Sequence, residues 1–369
     1  MNQEFVLGKL SELMKWDDET SRREFAWLRL MSRMKYDGYQ EFLAGMRFIE
    51  SLTDWLQQFD KPEERQTAYT FVRQNLVFIS LAEMRHLVEL FYPETVQPRL
   101  IREVAGRCGI PAYRVWAEPR ATDAYKKLLR KTLFIELSDG GRIDIFRRAN
   151  AGVIGNEQIV TAPRINDEKW KDLVKDLREE TEDDTARFSF VYLVDDFTAS
   201  GTTLLRQEDG RWKGKLCRFW DDVSKAGMAK EVFEDDWKLC VHHYISTAQS
   251  EATITRRDGE VRTEFGADGW FRGIELSSGM RLPGEFSVTS TTHPEFGKLI
   301  QAYYDASIED GHMKKGGEDA RYGFGKCGLP LVLEHNTPNN SLALLWAETG
   351  GEGGTRAMRP LFRRRQRHG

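Results

Sequence analysis

Through residues 1 to about 118, apolar residues recur at three- and four-residue spacing. The stretches "RREFAWLRLMSRM", "EFLAGMRFIESLTDWLQQF" and "TAYTFVRQNLVFISLAEMRHLVELF" each predict an amphipathic helix. In the second, Phe42, Met46, Phe48, Ile49, Leu52, Trp55 and Leu56 lie broadly along one face. Lys61-Pro62 ends that helix and Pro93 ends the next, because proline cannot continue the backbone hydrogen-bond ladder. This block reads as a helical packing layer.

From about residue 120 the period changes. "TLFIEL" (132–137), "EQIVTAPRI" (157–165), "DDWKLCVHHYIST" (235–247) and "LPLVLEHN" (329–336) are short apolar runs that predict strands. Between the second and third lies "NDEKWKDLVKDLREE", a polar helix with Trp170, Leu173, Val174 and Leu177 as its apolar stripe. Strands alternating with helices predict a parallel sheet with crossover helices. The Asp-Gly pair in "EATITRRDGEVRTEF" predicts a hairpin. After Trp346 the chain becomes Gly-rich and then Arg-rich, which predicts a tethered, unpacked tail.

Composition adds bounds. The 369 residues suffice for two or three domains. A net charge of −4 confines any nucleic-acid surface to a local patch. No apolar run approaches the roughly 20 residues of a membrane span, and the N-terminus lacks a signal-peptide pattern. The four cysteines are scattered without a CxxC pair, which argues against a zinc site or a disulfide framework. A reduced, cytoplasmic setting is the expectation.

The candidate chemistry sits in "FSFVYLVDDFTASGTT", Phe188 to Thr203. Its apolar start suits a central strand buried on both faces. Ligands of parallel sheets bind beyond the carboxyl ends of the strands, where Asp195 and Asp196 fall. If the chain turns there, both carboxylates can rim one crevice. They suit ribose hydroxyls or a hydrated Mg²⁺. Gly201 permits a tight turn whose backbone N–H groups form an anion nest, and Ser200, Thr202 and Thr203 add hydroxyls. The spacing does not fit the P-loop pattern GxxxxGK[ST].

"VYLVDDFTASGTT" resembles the ribose-phosphate motif of the phosphoribosyltransferases. That resemblance implies an α/β fold with a Rossmann-like parallel sheet and flanking helices, here preceded by an all-helical domain. It implies that Asp195 and Asp196 bind the 2- and 3-hydroxyls of phosphoribosyl pyrophosphate (PRPP), with Mg²⁺ beside them. Thr198, Ala199, Ser200, Gly201, Thr202 and Thr203 would hold the 5-phosphate. Some purine-salvage members carry an Asp base where this chain has Ala199, while adenine-salvaging members have Ala. Any general base must therefore come from elsewhere. The family also has a pyrophosphate loop after an earlier strand, for which Asp139, Gly140, Gly141 and Arg142 are the local candidates. Arg147, Arg148 and Arg164 are weaker ones.

A looser resemblance over residues 36–346 is to bacterial phosphoribosyltransferase-like proteins of conflict and antiphage loci, some of them in retron systems. This looser resemblance implies a fold and not a reaction; the phosphoribosyltransferase motif implies transfer or cleavage at ribose C1, or else a catalytically inactive module that senses PRPP or a nucleotide. A defence-system protein or nucleic acid could dock on the helical domain or the Arg-rich tail. In "EHNTPNNSLALLW", His335, Asn336, Asn339 and Asn340 could read a base edge, while the rival account is an Asx-rich turn fixed by Pro338. His242 and His243 alternate faces on a strand, so at most one faces a given pocket. The expected domains are 1–118 (helical), 119–346 (phosphoribosyltransferase-like) and 347–369 (linker and tail).

Overall fold

The computed structural model describes residues 3–42, 46–161, 165–225, 229–311, 313–317, 319–351 and 356–365. They form two compact units. Unit 1 is Met1–Met84 with Pro283–Gly369, and unit 2 is Arg85–Leu282. This division differs from the expected boundaries at 118 and 346, because the two ends of the chain share one core.

Unit 1 begins with helices α1 (Gln3–Met14), α2 (Asp18–Met34), α3 (Phe48–Gln57) and α4 (Pro62–Asn75), then strand β1 (Val77–Ile79). Five of the seven residues of the predicted face, Phe48, Ile49, Leu52, Trp55 and Leu56, are buried on α3, while Phe42 and Met46 precede the helix. Helix α5 (Leu81–Leu90) leads into unit 2, where one π-helical turn, Phe91–Val96, joins it to α6 (Gln97–Cys108). Pro93 lies inside that turn, so the expected stop at Pro93 becomes an irregularity and the helical path continues.

Unit 2 continues with α7 (Pro119–Arg130), β2 (Thr132–Glu136), α8 (Ile143–Ala149), β3 (Ile159–Val160), α9 (Asp167–Thr181) and β4 (Phe188–Thr198). A hairpin, β5 (Arg206–Glu208) and β6 (Arg211–Lys213), precedes α10 (Lys215–Lys225) and α11 (Ala229–Val232). Strand β7 (Phe233–Thr247), α12 (Ala248–Gly269) and β8 (Ile274–Leu282) complete the unit. Five strands form one parallel sheet in the order β3-β2-β4-β7-β8. The chain moves from β2 outward to β3, then returns to the other side of β2 to make β4. The order reverses between β2 and β4, and open α/β sheets bind ligands at such a reversal.

The central strand β4 is buried from Phe188 to Asp195, as its apolar run requires. Leu133, Ile135, Val191, Leu193, Leu239 and Val241 meet Trp170, Leu173 and Leu177 of α9, Leu216 and Phe219 of α10 and Ile254 of α12 in one core. The alternate residues Phe134 and Tyr192 stack on each other at 5.6 Å, and Phe91 and Phe146 pack against that aromatic face.

Three expectations are corrected. The segment 251–265 is part of α12, not a hairpin: Ile254, Asp258 and Val261 are buried along one helical face. Asp258 accepts from Trp270 Nε1 at 3.1 Å and pairs with Arg262, and these contacts override the turn preference of Asp258-Gly259. Of 157–165, only Ile159–Val160 is strand, and Ala162, Pro163 and Arg164 lie outside the described residues. The run 329–336 supplies β9 (Leu331–Leu333), which pairs with β1 in a separate two-stranded sheet of unit 1.

Unit 1 closes with α13 (Pro294–Tyr303), β9 and α14 (Ala343–Trp346). The tail is packed, not tethered. Met358, Leu361 and Phe362 are buried, and Leu361 and Phe362 donate backbone hydrogen bonds to Leu345 O at 3.0 and 2.9 Å. Phe362 is ringed by Tyr36, Tyr39, Phe42, Phe48 and Phe78. Its apolar side chains override the Gly-rich lead-in, since burying each aromatic ring contributes about 1.5–3 kcal/mol.

Candidate functional site

The loop after β2 and the loop after β4 meet at the sheet's reversal point. Strand β4 runs regularly to Thr198, so the turn expected at the two acids comes three residues later, and their side chains point to opposite faces. Asp195 is buried and is the register partner of His243 on β7. Its Oδ1 accepts from Ser138 Oγ and its Oδ2 from the Lys215 ammonium. Asp196 is partly exposed, and its Oδ1 accepts from Phe197 N–H at 2.8 Å.

The glycine pair of the first loop lies against these acids. A Cβ at Gly140 would come within 2.6 Å of Asp196 Oδ2. One at Gly141 would come within 2.8 Å of Glu136 Cγ and 3.1 Å of Val194 O. Arg142 follows in the left-handed region at φ 49°. Asp139 is in the same loop. Glu136 itself is buried at the end of β2.

The second loop is held from outside. Thr247 Oγ1 donates to Ala199 O at 2.6 Å, and Ser250 Oγ to Thr198 O at 3.2 Å. Both donors belong to the N-terminal cap of α12. Gly201 has φ +73°, and a Cβ there would meet Ile254 Cγ1 at 2.9 Å and Ser250 O at 3.1 Å. Glycine is thus needed twice over, for conformation and for space. Ser200 Oγ and Thr202 Oγ1 are 2.8 Å apart, and Thr203 is exposed. Thr202 N–H has Ser200 Oγ at 3.4 Å. Among the described residues, the N–H groups of Ser200, Gly201 and Thr203 have no protein acceptor. No helix starts directly after this loop, because the β5–β6 hairpin comes first.

The electrostatics are uneven. Burial pushes the His243 imidazole down to about 4 against the opposing pull of Asp195, so it is neutral near pH 7. Burial likewise pushes His242 down to about 3. His242 faces away from Asp195, stacked on Phe91 at 4.0 Å, with Nδ1 3.0 Å from Ser277 Oγ. Burial holds the Tyr244 hydroxyl well above its ordinary range, and the Glu136 and Asp196 carboxylates add to that. This hydroxyl has no hydrogen-bond partner among the described residues. Among the described residues, no three His, Cys, Asp or Glu side chains cluster as a metal site.

The late motif is in unit 1, not in the unit that carries Asp195 and Asp196. There His335 Nδ1 lies 3.6 Å from Glu334 Oε1, and Asn336 Oδ1 accepts from Arg365 N–H at 2.9 Å. Asn340 Nδ2 donates to Phe324 O at 2.9 Å, and Asn339 O accepts from Phe324 N–H at 2.7 Å. These contacts stitch a turn. The tail arginines are engaged too: Arg356 pairs with Asp60 at 2.7 Å and Arg363 with Glu348 at 2.5 Å. Arg367 and His368 lie outside the described residues.

Sequence reasoning missed Ser138, Glu136, Lys215 and Tyr244. Ser138 and Glu136 shortly precede the glycine pair and were within reach of the loop reading. Lys215 and Tyr244 carry no local signal, because only the fold brings them to the acids. Residues 52–364 match the family PRTase-CE. No curated protein and no solved structure matches the chain significantly.

Proposed function

The chain belongs to the phosphoribosyltransferase-like, conflict-system-associated family PRTase-CE, and from that premise we propose that unit 2 binds PRPP or a related ribose-5-phosphate nucleotide and acts at ribose C1. One observation carries the reading. The two loops meet at the β2/β4 reversal, with Gly140 against the Asp196 carboxylate and three loop amides that have no acceptor among the described residues. Carboxylates accept hydrogen bonds from sugar hydroxyls, and amides turned outward donate to phosphate oxygens. Gly140, Gly141 and Arg142 would face the pyrophosphate group.

The residues fit a Mg²⁺ of the kind held mainly by substrate oxygens and water. Asp196, the more exposed of the two acids, would be the protein's metal-facing carboxylate. When bound, the ion would neutralise the pyrophosphate leaving group. Asp195 and Asp196, on opposite faces of β4, would reach the ribose from either side of the strand end, and residues 198–203 would hold the phosphate. The acceptor at C1 would be a base, a nucleotide, a protein side chain or water.

The experiment is incubation with PRPP, Mg²⁺ and candidate nucleotides, followed by mass spectrometry. The wild type forms a ribosyl-transfer product or free ribose 5-phosphate, and Asp195→Asn/Asp196→Asn forms neither. Equal turnover by the double variant would remove the assignment.

A second reading is a catalytically inactive sensor of PRPP or a nucleotide that regulates a partner. Ala199, which is buried and cannot move a proton, permits it. Ligand binding without any product would select it. Under either reading, the family's conflict-system association supports a role as an antiphage defence component.

A further inference from the structure

Lys215 is the residue whose placement the family motif does not account for. It opens α10, twenty residues after Asp195 and beyond the β5–β6 hairpin. Its ammonium is bonded to Asp195 Oδ2, and the pair is buried, with side-chain exposures of 12% and 5%. Its backbone N–H donates to Thr203 O at 3.1 Å, so the same residue also stitches the phosphate loop. The preceding Gly214 has φ +132°, and a Cβ there would lie 2.3 Å from Leu204 O. The backbone crossing that delivers Lys215 therefore requires glycine.

Burying two charges is expensive, and a buried ion pair is weak evidence for stability by itself. Its effect on the acid is more telling. Each carboxylate oxygen has two acceptor positions. Ser138 occupies one on Oδ1 and Lys215 one on Oδ2, which leaves one on each. Asp195 is thereby fixed in orientation and still able to accept from a hydroxyl. The Lys215 charge offsets that of Asp195 itself, so the pair adds no net repulsion toward an anionic ligand.

We propose that Lys215 is a positioning residue that fixes Asp195 for a sugar hydroxyl and links that acid to the phosphate loop, so that the site selects ribose phosphates over phosphates lacking the hydroxyl. This rests on the ribose-phosphate reading of the site. The test is calorimetric titration of ribose 5-phosphate, 2-deoxyribose 5-phosphate and inorganic phosphate into the wild type, Lys215→Met and Lys215→Arg. The wild type should prefer ribose over deoxyribose phosphate about tenfold or more, as expected for hydrogen bonds to a charged group. Lys215→Met should reduce that preference to about threefold or less while inorganic phosphate still binds, and Lys215→Arg should restore most of it. A merely structural lysine would weaken all three ligands in proportion. An unchanged preference in Lys215→Met overturns the inference and leaves the ribose-phosphate reading standing. A wild type that binds none of the three removes both. Should Lys215→Met not fold, Lys215→Gln removes the charge with a polar side chain one atom shorter, and the same ratio decides.

Discussion

Single atoms set the behaviour of Gly140, Gly201 and His243. The nearest atoms a methyl at Gly140 would meet belong to the Asp196 carboxylate, a side-chain end that can shift by a few tenths of an ångström. Gly140→Ala should therefore leave the unfolding midpoint nearly unchanged and weaken PRPP binding, measured by calorimetry beside thermal melting. Gly201→Ala meets strain at φ +73° and a backbone carbonyl, so it should lose about 1–3 kcal/mol of stability in urea titrations. His243 has an ordinary value of 6.5, lowered to about 4 in the fold. The folded protein binds fewer protons than the unfolded chain in that window, so stability rises with pH across it. The contribution is complete above about 6.5 and is lost as the pH falls through about 4. The urea midpoint should drop between pH 7 and pH 5, and His243→Gln should about halve that drop, because His242, lowered to about 3, contributes over the same interval. Asp195, Asp196 and Gly201 were legible because strand, acids and turn are contiguous. Lys215 was not, since twenty residues and a hairpin separate it from its partner.

At the scale of elements, strands were legible where burial on both faces forces an apolar run, as in β4 and β7. Strand β3 was overestimated, because its two residues sit at the sheet edge beside only β2. Two Asp-Gly pairs show why turn signals need context. Asp209-Gly210 does close a hairpin, with both residues at positive φ, 55° and 71°. Asp258-Gly259 sits inside α12, where helical spacing of buried residues dominates. The cap of α12 also holds the phosphate loop. Thr247→Ala removes both the bond from Ser250 N–H at 3.0 Å and the bond to Ala199 O. It should cost about 1–3 kcal/mol in thermal or urea unfolding, and it should weaken phosphate binding more than Ser250→Ala does.

For the whole molecule, periodicity found the helices and the sheet but not the partition. Nothing in a Gly-rich, Arg-rich ending signals that Phe362 fills a ring of aromatics from residues 36–78, because the partners are some three hundred residues away in sequence. Phe362→Ala should destabilise unit 1 by about 3–5 kcal/mol, read as a lower melting transition, while the Asp195 site of unit 2 keeps its ligand affinity. Among the described residues no helix is long and apolar enough to cross a membrane. The central claim is that the ends of β2 and β4 grip a sugar phosphate. Calorimetric titration of PRPP with Mg²⁺ into the full chain tests it most directly. The account predicts saturable one-site binding by the wild type and its loss in Asp195→Asn/Asp196→Asn with the fold intact. No heat from the wild type, or the same affinity in the double variant, would contradict it.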